Sequence, residues 1–133
     1  MSIRYRITKR SNNIATEKKT NFIMQAVSTG TIDINRLSYE ISNECTLSKV
    51  DVKAVLFALG EKLEFHLKEG KTIDIENIGK FKIGFKSVAA ANEQDLTPKK
   101  SILKYHLNFQ PSVHIKRWLK KGISTFKEGS RSR

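Results

Sequence analysis

LKEGKTIDIENIGKFKIGFK, residues 67–86, changes its period part-way through. Up to Gly70 it reads as the end of a helix, with Gly70 in the left-handed position that closes one. From Lys71 the apolar residues fall at every second place: Ile73 and Ile75, then, after a turn near Asn77 to Gly79, Phe81, Ile83 and Phe85. Successive side chains of a strand leave opposite faces, so Lys80, Lys82 and Lys86 stand on the face opposite those apolar residues. A helix that runs into a hairpin, greasy on one side and cationic on the other, points to an α+β fold.

Upstream, Ser48 stands as N-cap of that helix with Asp51 three residues on. Val52, Val55, Leu56, Leu59, Leu63 and Leu67 then make a long apolar face, expected to meet a sheet along one part and a second subunit along another. An earlier helix is predicted over residues 34–45, capped by Asp33, with Ile34, Leu37, Ile41 and Cys45 in one stripe. Before it, SIRYRITKR (2–10) and NFIMQAVS (21–28) read as two strands of a hairpin joined by the loop SNNIATEKK.

Downstream, residues 87–101, SVAAANEQDLTPKKS, carry no strand period and interrupt the sheet. The strand pattern resumes at 102–109, with Leu103, Tyr105, Leu107 and Phe109 on the face opposite Lys104, His106 and Asn108, and Pro111 ends it. Ser112 can cap a last helix bearing Ile115, Trp118 and Leu119, ringed by Lys116, Arg117, Lys120 and Lys121 and stopped by Gly122. Backbone N–H groups at its start, Ser112 to Ile115, suit a phosphate. Residues 123–133 are expected to form a disordered basic tail.

The formal net charge is +12, with 25 Lys and Arg against 13 Asp and Glu over 133 residues. Residues 31–79 hold six cations and nine carboxylates, whereas residues 80–109 hold six and two, and residues 110–133 hold seven and one. Such separation of sign holds polyanions, where a merely solvated surface would mix its charges. No stretch approaches the roughly 18 apolar residues of a membrane span, and MSIRYRITKR lacks the apolar core of a secretory leader. A cytoplasmic location is expected. Cys45 has no second thiol for a disulfide and is expected to be a small buried residue on its helix.

Catalysis finds little support. His66, His106 and His114 share no metal-ligand spacing, and the carboxylates fall mostly beside lysines on helix exteriors. Neither an enzyme nor a metal, cofactor or small-molecule substrate is expected. The stronger grouping is Lys80, Lys82, Lys86, Lys99, Lys100 and Lys104, on or around two antiparallel strands and the excursion between them. Two readings compete there: lysines that keep a sheet edge from pairing with another sheet, and a polyanion-binding surface continued by Lys116 and Arg117. The charge layout favours the second. Trp118 allows base stacking or, at its spacing from Ile115, a place in the core.

In three segments, LSKVDVKAVL, LKEGKTIDIENIGKFKI and FQPSVHIKRWLKK, the chain resembles the bacterial histone-like HU/IHF family. The middle segment is the most specific, a Leu-Lys-Glu-Gly helix end followed by the hairpin Gly79-Lys80-Phe81. The resemblance implies two N-terminal helices, a three-stranded antiparallel sheet with an arm-like excursion, a C-terminal helix and an intertwined homodimer. The N-terminal hairpin is similar to an extension found in variants from Bacteroides-type bacteria. Expected domains are therefore a hairpin extension (1–30), an HU/IHF-like domain (31–122) and the tail (123–133). The excursion departs from the family, lacking its Arg-Asn-Pro tip. Pro98 is the one proline there, either an intercalating wedge or the first residue of a helical turn capped by Thr97. What the resemblance implies is an architectural, largely sequence-neutral binder of double-stranded DNA that condenses DNA in the nucleoid. RNA binding, ribosome association, or a protein-interaction role on the same fold are the alternatives.

Overall fold

The structure is a computed structural model, and it describes residues 1–11 and 20–129. The chain forms two compact units, one of Met1–Asp33 with Lys121–Arg133 and one of Ile34–Lys120.

In the first unit, β1 (Ser2–Ser11) and β2 (Thr20–Val27) are antiparallel, with Arg4 opposite Val27 and Arg10 opposite Asn21. Their connection, residues 12–19, lies outside the described residues. The segment expected as a disordered tail instead supplies a third strand, β6 (Ser124–Lys127), which runs parallel to β1 with Ser2 opposite Ser124 and Tyr5 opposite Lys127. The free edge of β1 offers backbone groups that four residues can satisfy, and STFK is too short to show a strand period on its own. The pairing extends past the strand: the Glu128 N–H donates to the Tyr5 carbonyl at 2.8 Å, and Arg6 Nε approaches the Glu128 carboxylate at 3.4 Å. Arg4 donates to the Ser28 carbonyl at 2.8 Å. Both arginines are thus engaged in holding this sheet. Residues 130–133 lie outside the described residues.

The second unit opens with α1 (Ile34–Ser42), which stops three residues before Cys45. The Ser42 hydroxyl donates back to the Tyr39 carbonyl at 2.7 Å, and the Glu44 N–H closes a tight turn on Ile41. Serine offers the backbone this alternative to helix. Cys45 therefore lies in a turn and is exposed. Helix α2 (Lys49–Lys68) starts as its sequence asks, with the Asp51 N–H donating to Ser48 Oγ at 3.2 Å. It ends in a Schellman motif: the Gly70 N–H reaches Leu67 O at 3.0 Å and the Lys71 N–H reaches His66 O at 3.2 Å, with Gly70 at φ 80°. On its apolar face Val52 is buried and Leu56, Leu63 and Leu67 are half-buried, while Val55 and Leu59 stay exposed. α2 packs on α1, β3 and β4.

β3 (Ile73–Ile75), β4 (Gly79–Ser87) and β5 (Ile102–Pro111) form an antiparallel sheet in the order β3-β4-β5. Between β4 and β5 the excursion holds a 3₁₀ turn (Glu93–Asp95) and a single helical turn, α3 (Pro98–Ser101). Helix α4 (Val113–Lys121) follows β5, and Gly122 after it has φ 82°. Ser112 joins the two with all its polar groups in use. Its N–H donates to Ile78 O (3.0 Å), its hydroxyl donates to Asn77 O (3.2 Å) and accepts from the Ile115 N–H (3.2 Å), and its carbonyl accepts from the Lys116 N–H (2.9 Å).

Candidate nucleic-acid interface

The β4–β5 register decides what the cationic face contains. Lys80 stands opposite Gln110, Lys82 opposite Asn108, Gly84 opposite His106 and Lys86 opposite Lys104. Paired residues of neighbouring strands share a face. One side of the ribbon therefore carries four lysines, two amides, one imidazole and one glycine, with no carboxylate among the eight. Lys86 and Lys104 sit directly across from one another, an arrangement that costs free energy unless an anion lies over it. A bulge follows at once, between Lys86 and Ser87.

Lys80 differs from the others. Asp74 of β3 is its partner on the other side, and a concavity of about 280 Å³ brings Lys80 and Lys116 together with both Asp74 and Glu76. The base of the ribbon is thus mixed in sign, whereas the β4–β5 pairs from Lys82 to Lys86 hold no carboxylate; the excursion beyond them carries Glu93 and Asp95 beside Lys99 and Lys100. The start of α4 is also less open to a phosphate than its sequence suggests. Of the four N–H groups from Ser112 to Ile115, those of Ser112 and Ile115 are already taken by protein oxygens. Arg117 lies on exposed α4, one position round the helix from Lys116.

Lys99 and Lys100 belong to α3, whose first residue is Pro98 with Thr97 at the N-cap position. The Thr97 side chain makes no cap bond; the partner is Ser101, which is 5% exposed. Ser101 Oγ accepts from the Thr97 N–H at 2.9 Å, and the Ser101 carbonyl accepts from the Val88 N–H at 2.9 Å. One serine thereby closes the excursion back on both strands and fixes the turn that carries the two lysines.

The opposite face is apolar. Phe81 and Phe109 stack with centroids 4.9 Å apart, and Phe85 meets Tyr105 edge-on at 6.1 Å. α2 approaches this side, where Glu64, Leu67 and Lys68 line a cavity of about 420 Å³ with Ile83 and Tyr105. Lys68 donates to Glu64 at 2.6 Å and holds that carboxyl below its ordinary range. Much of the face stays open, with Phe85 and Leu107 each 55% exposed. Trp118 is 42% exposed, so the single chain gives it no place in a core. Among the described residues no three His, Cys, Asp or Glu side chains gather as metal ligands, and no helix is long and apolar enough to cross a membrane.

Residues 1–127 match the model of the HU-HIG family, described as an HU domain fused to a wHTH, Ig or glycine-rich motif. The chain belongs to the HU-HIG family. Its fold is also similar to a solved structure from Bacteroides vulgatus ATCC 8482, a protein provisionally named as a bacterial DNA-binding protein, with TM-score 0.65 and 10% identity. That likeness covers 99% of this chain and 51% of the other, so the HU-HIG chain spans about half its length. No curated protein sequence matches.

The lysine rows of an HU-HIG ribbon were readable from alternation alone. Two features were not: the carboxylates beside Lys80, which arrive through β3 pairing, and the gap at Gly84, which has meaning only with His106 across from it. Placing the turn at Asn77–Gly79 and counting outward along both strands would have found the first.

Proposed function

We propose that this chain is an architectural, largely sequence-neutral double-stranded DNA-binding protein that acts as a homodimer in the nucleoid. Membership of an HU family supports the DNA-binding role. The observation that carries the mode is the open ribbon face on which Lys82, Lys86 and Lys104 stand with no carboxylate paired to them across the two strands. Cations spaced along a strand neutralise successive phosphates, and such contacts set position without reading sequence. Lys99 and Lys100 extend the surface at the ribbon's far end, and Lys80, Lys116 and Arg117 flank it at the base, where Asp74 and Glu76 dilute the first two. Pro98, the sequence's candidate wedge, sets the turn that presents Lys99 and Lys100.

The homodimer rests on the open apolar side. Among the described residues Val52 is the one buried hydrophobic side chain, at 4% exposure, while Phe57 of α2 and Phe85 and Leu107 of the ribbon stay more than half exposed. A second copy laid against these surfaces supplies the core that a single chain lacks. The test of the DNA assignment is competition of equal-length duplex DNA, single-stranded DNA and duplex RNA for the purified protein. Duplex DNA should win by at least tenfold. Equal or better competition by RNA would move the lysine face to the alternative, an RNA or ribosome partner.

A further inference from the structure

The middle of the cationic face is a notch. Gly84 is the one position of its row without a side chain, and β5 leans into the space. A Cβ built on Gly84 would lie 2.8 Å from His106 Nε2 and 3.1 Å from Asn108 Nδ2, both closer than ordinary packing allows. The imidazole and the amide therefore converge over the bare backbone, between Lys82 and Lys86 of β4 and next to Lys104 on β5. The charged groups nearest His106 along this side are those three lysines, with Lys80 and its β3 partner Asp74 on the same side further toward the base. Asp74 and Glu76 are gathered at Lys80, four positions away along β4, and the α2 carboxylate nearest the ribbon, Glu64, lines the apolar side with Ile83 and Tyr105. Among the described residues no carboxylate forms an ion pair with His106.

We propose that His106 is a further DNA-contacting residue, a phosphate ligand seated over Gly84 with Asn108, whose contact is made by the protonated ring. The assignment rests on the DNA-binding reading above. An imidazole changes charge between about pH 5 and 8, and an opposite charge within a few ångströms favours its protonated form. With no intramolecular carboxylate at hand, that opposite charge is the phosphate itself. Binding then takes up a proton, and the complex gains one ionic contact as the pH falls. Gly84 is part of the device, because any side chain there displaces the ring.

The experiment is a salt titration of duplex-DNA affinity by fluorescence anisotropy at pH 5.5 and at pH 7.5, for the wild type, His106→Gln, His114→Gln and Gly84→Ala. Each phosphate contact adds about 0.9 to the slope of log affinity against log salt. The wild type and His114→Gln should bind roughly three to ten times tighter at pH 5.5, as one added charge-assisted contact would give, with a slope steeper by about 0.9. His106→Gln should show neither change, and Gly84→Ala should blunt both although its histidine remains. A wild-type slope that ignores pH, or a pH response that survives in His106→Gln, overturns the assignment. A full response in Gly84→Ala overturns the seat over the glycine. Absence of duplex binding by every protein at both pH values overturns the DNA-binding reading itself, a result distinct from pH-independent binding.

Discussion

Three small residues hold the candidate interface in place. Gly79 opens β4 at φ 154°, and an added Cβ would strike the Gln110 carbonyl oxygen and lie 2.7 Å from the Phe109 ring. That ring is stacked on Phe81, so neither neighbour can give way cheaply. Gly79→Ala should cost about 2–4 kcal/mol, from strain and overpacking together, read as a fall in the unfolding midpoint in urea. Ser112 is buried and satisfies donors and acceptors from the turn and from α4. Ser112→Ala removes a cap and the hydroxyl that donates to the Asn77 carbonyl, an expected loss of about 1 kcal/mol by the same measurement. Ser101 is the third: its hydroxyl closes the lysine-bearing turn on Thr97, and its backbone carbonyl accepts from the Val88 N–H beyond β4.

At the scale of elements, what the sequence could reveal depended on how locally each signal was written. α2 was legible at both ends, because Ser48 and Gly70 carry capping chemistry in their own side chains or lack of one. β4 and β5 were legible from alternation, and the turn at Pro98 from the preference of proline for the first helical position. α1 was read three residues too long, since the Ile34-Leu37-Ile41-Cys45 stripe continues past the point where Ser42 turns back on Tyr39. β6 was missed altogether. Its four residues become a strand through the free edge of β1, more than a hundred residues earlier, and no local pattern records that edge. The site divides in the same way: lysine spacing is local, whereas the partners of Lys80 and Gly84 are set by strand register.

For the whole molecule, assembly and charge each have a measurable consequence. If the open apolar side is covered by a second copy, light scattering at micromolar concentration should return twice the 15.2 kDa of the chain. Leu107→Glu, which sets a charge in the middle of that side, should shift the protein towards the monomer mass. The charge bears most directly on function. A chain with net charge +12 binds any polyanion weakly, so binding as such decides nothing. The decisive measurement is the salt slope of duplex-DNA affinity for the wild type and for the triple variant Lys82→Ala, Lys86→Ala, Lys104→Ala at fixed pH. Three lost contacts should flatten the slope by about 2.7, at roughly 0.9 for each phosphate released. An unchanged slope, with affinity intact, would contradict the ribbon face as the DNA-binding surface.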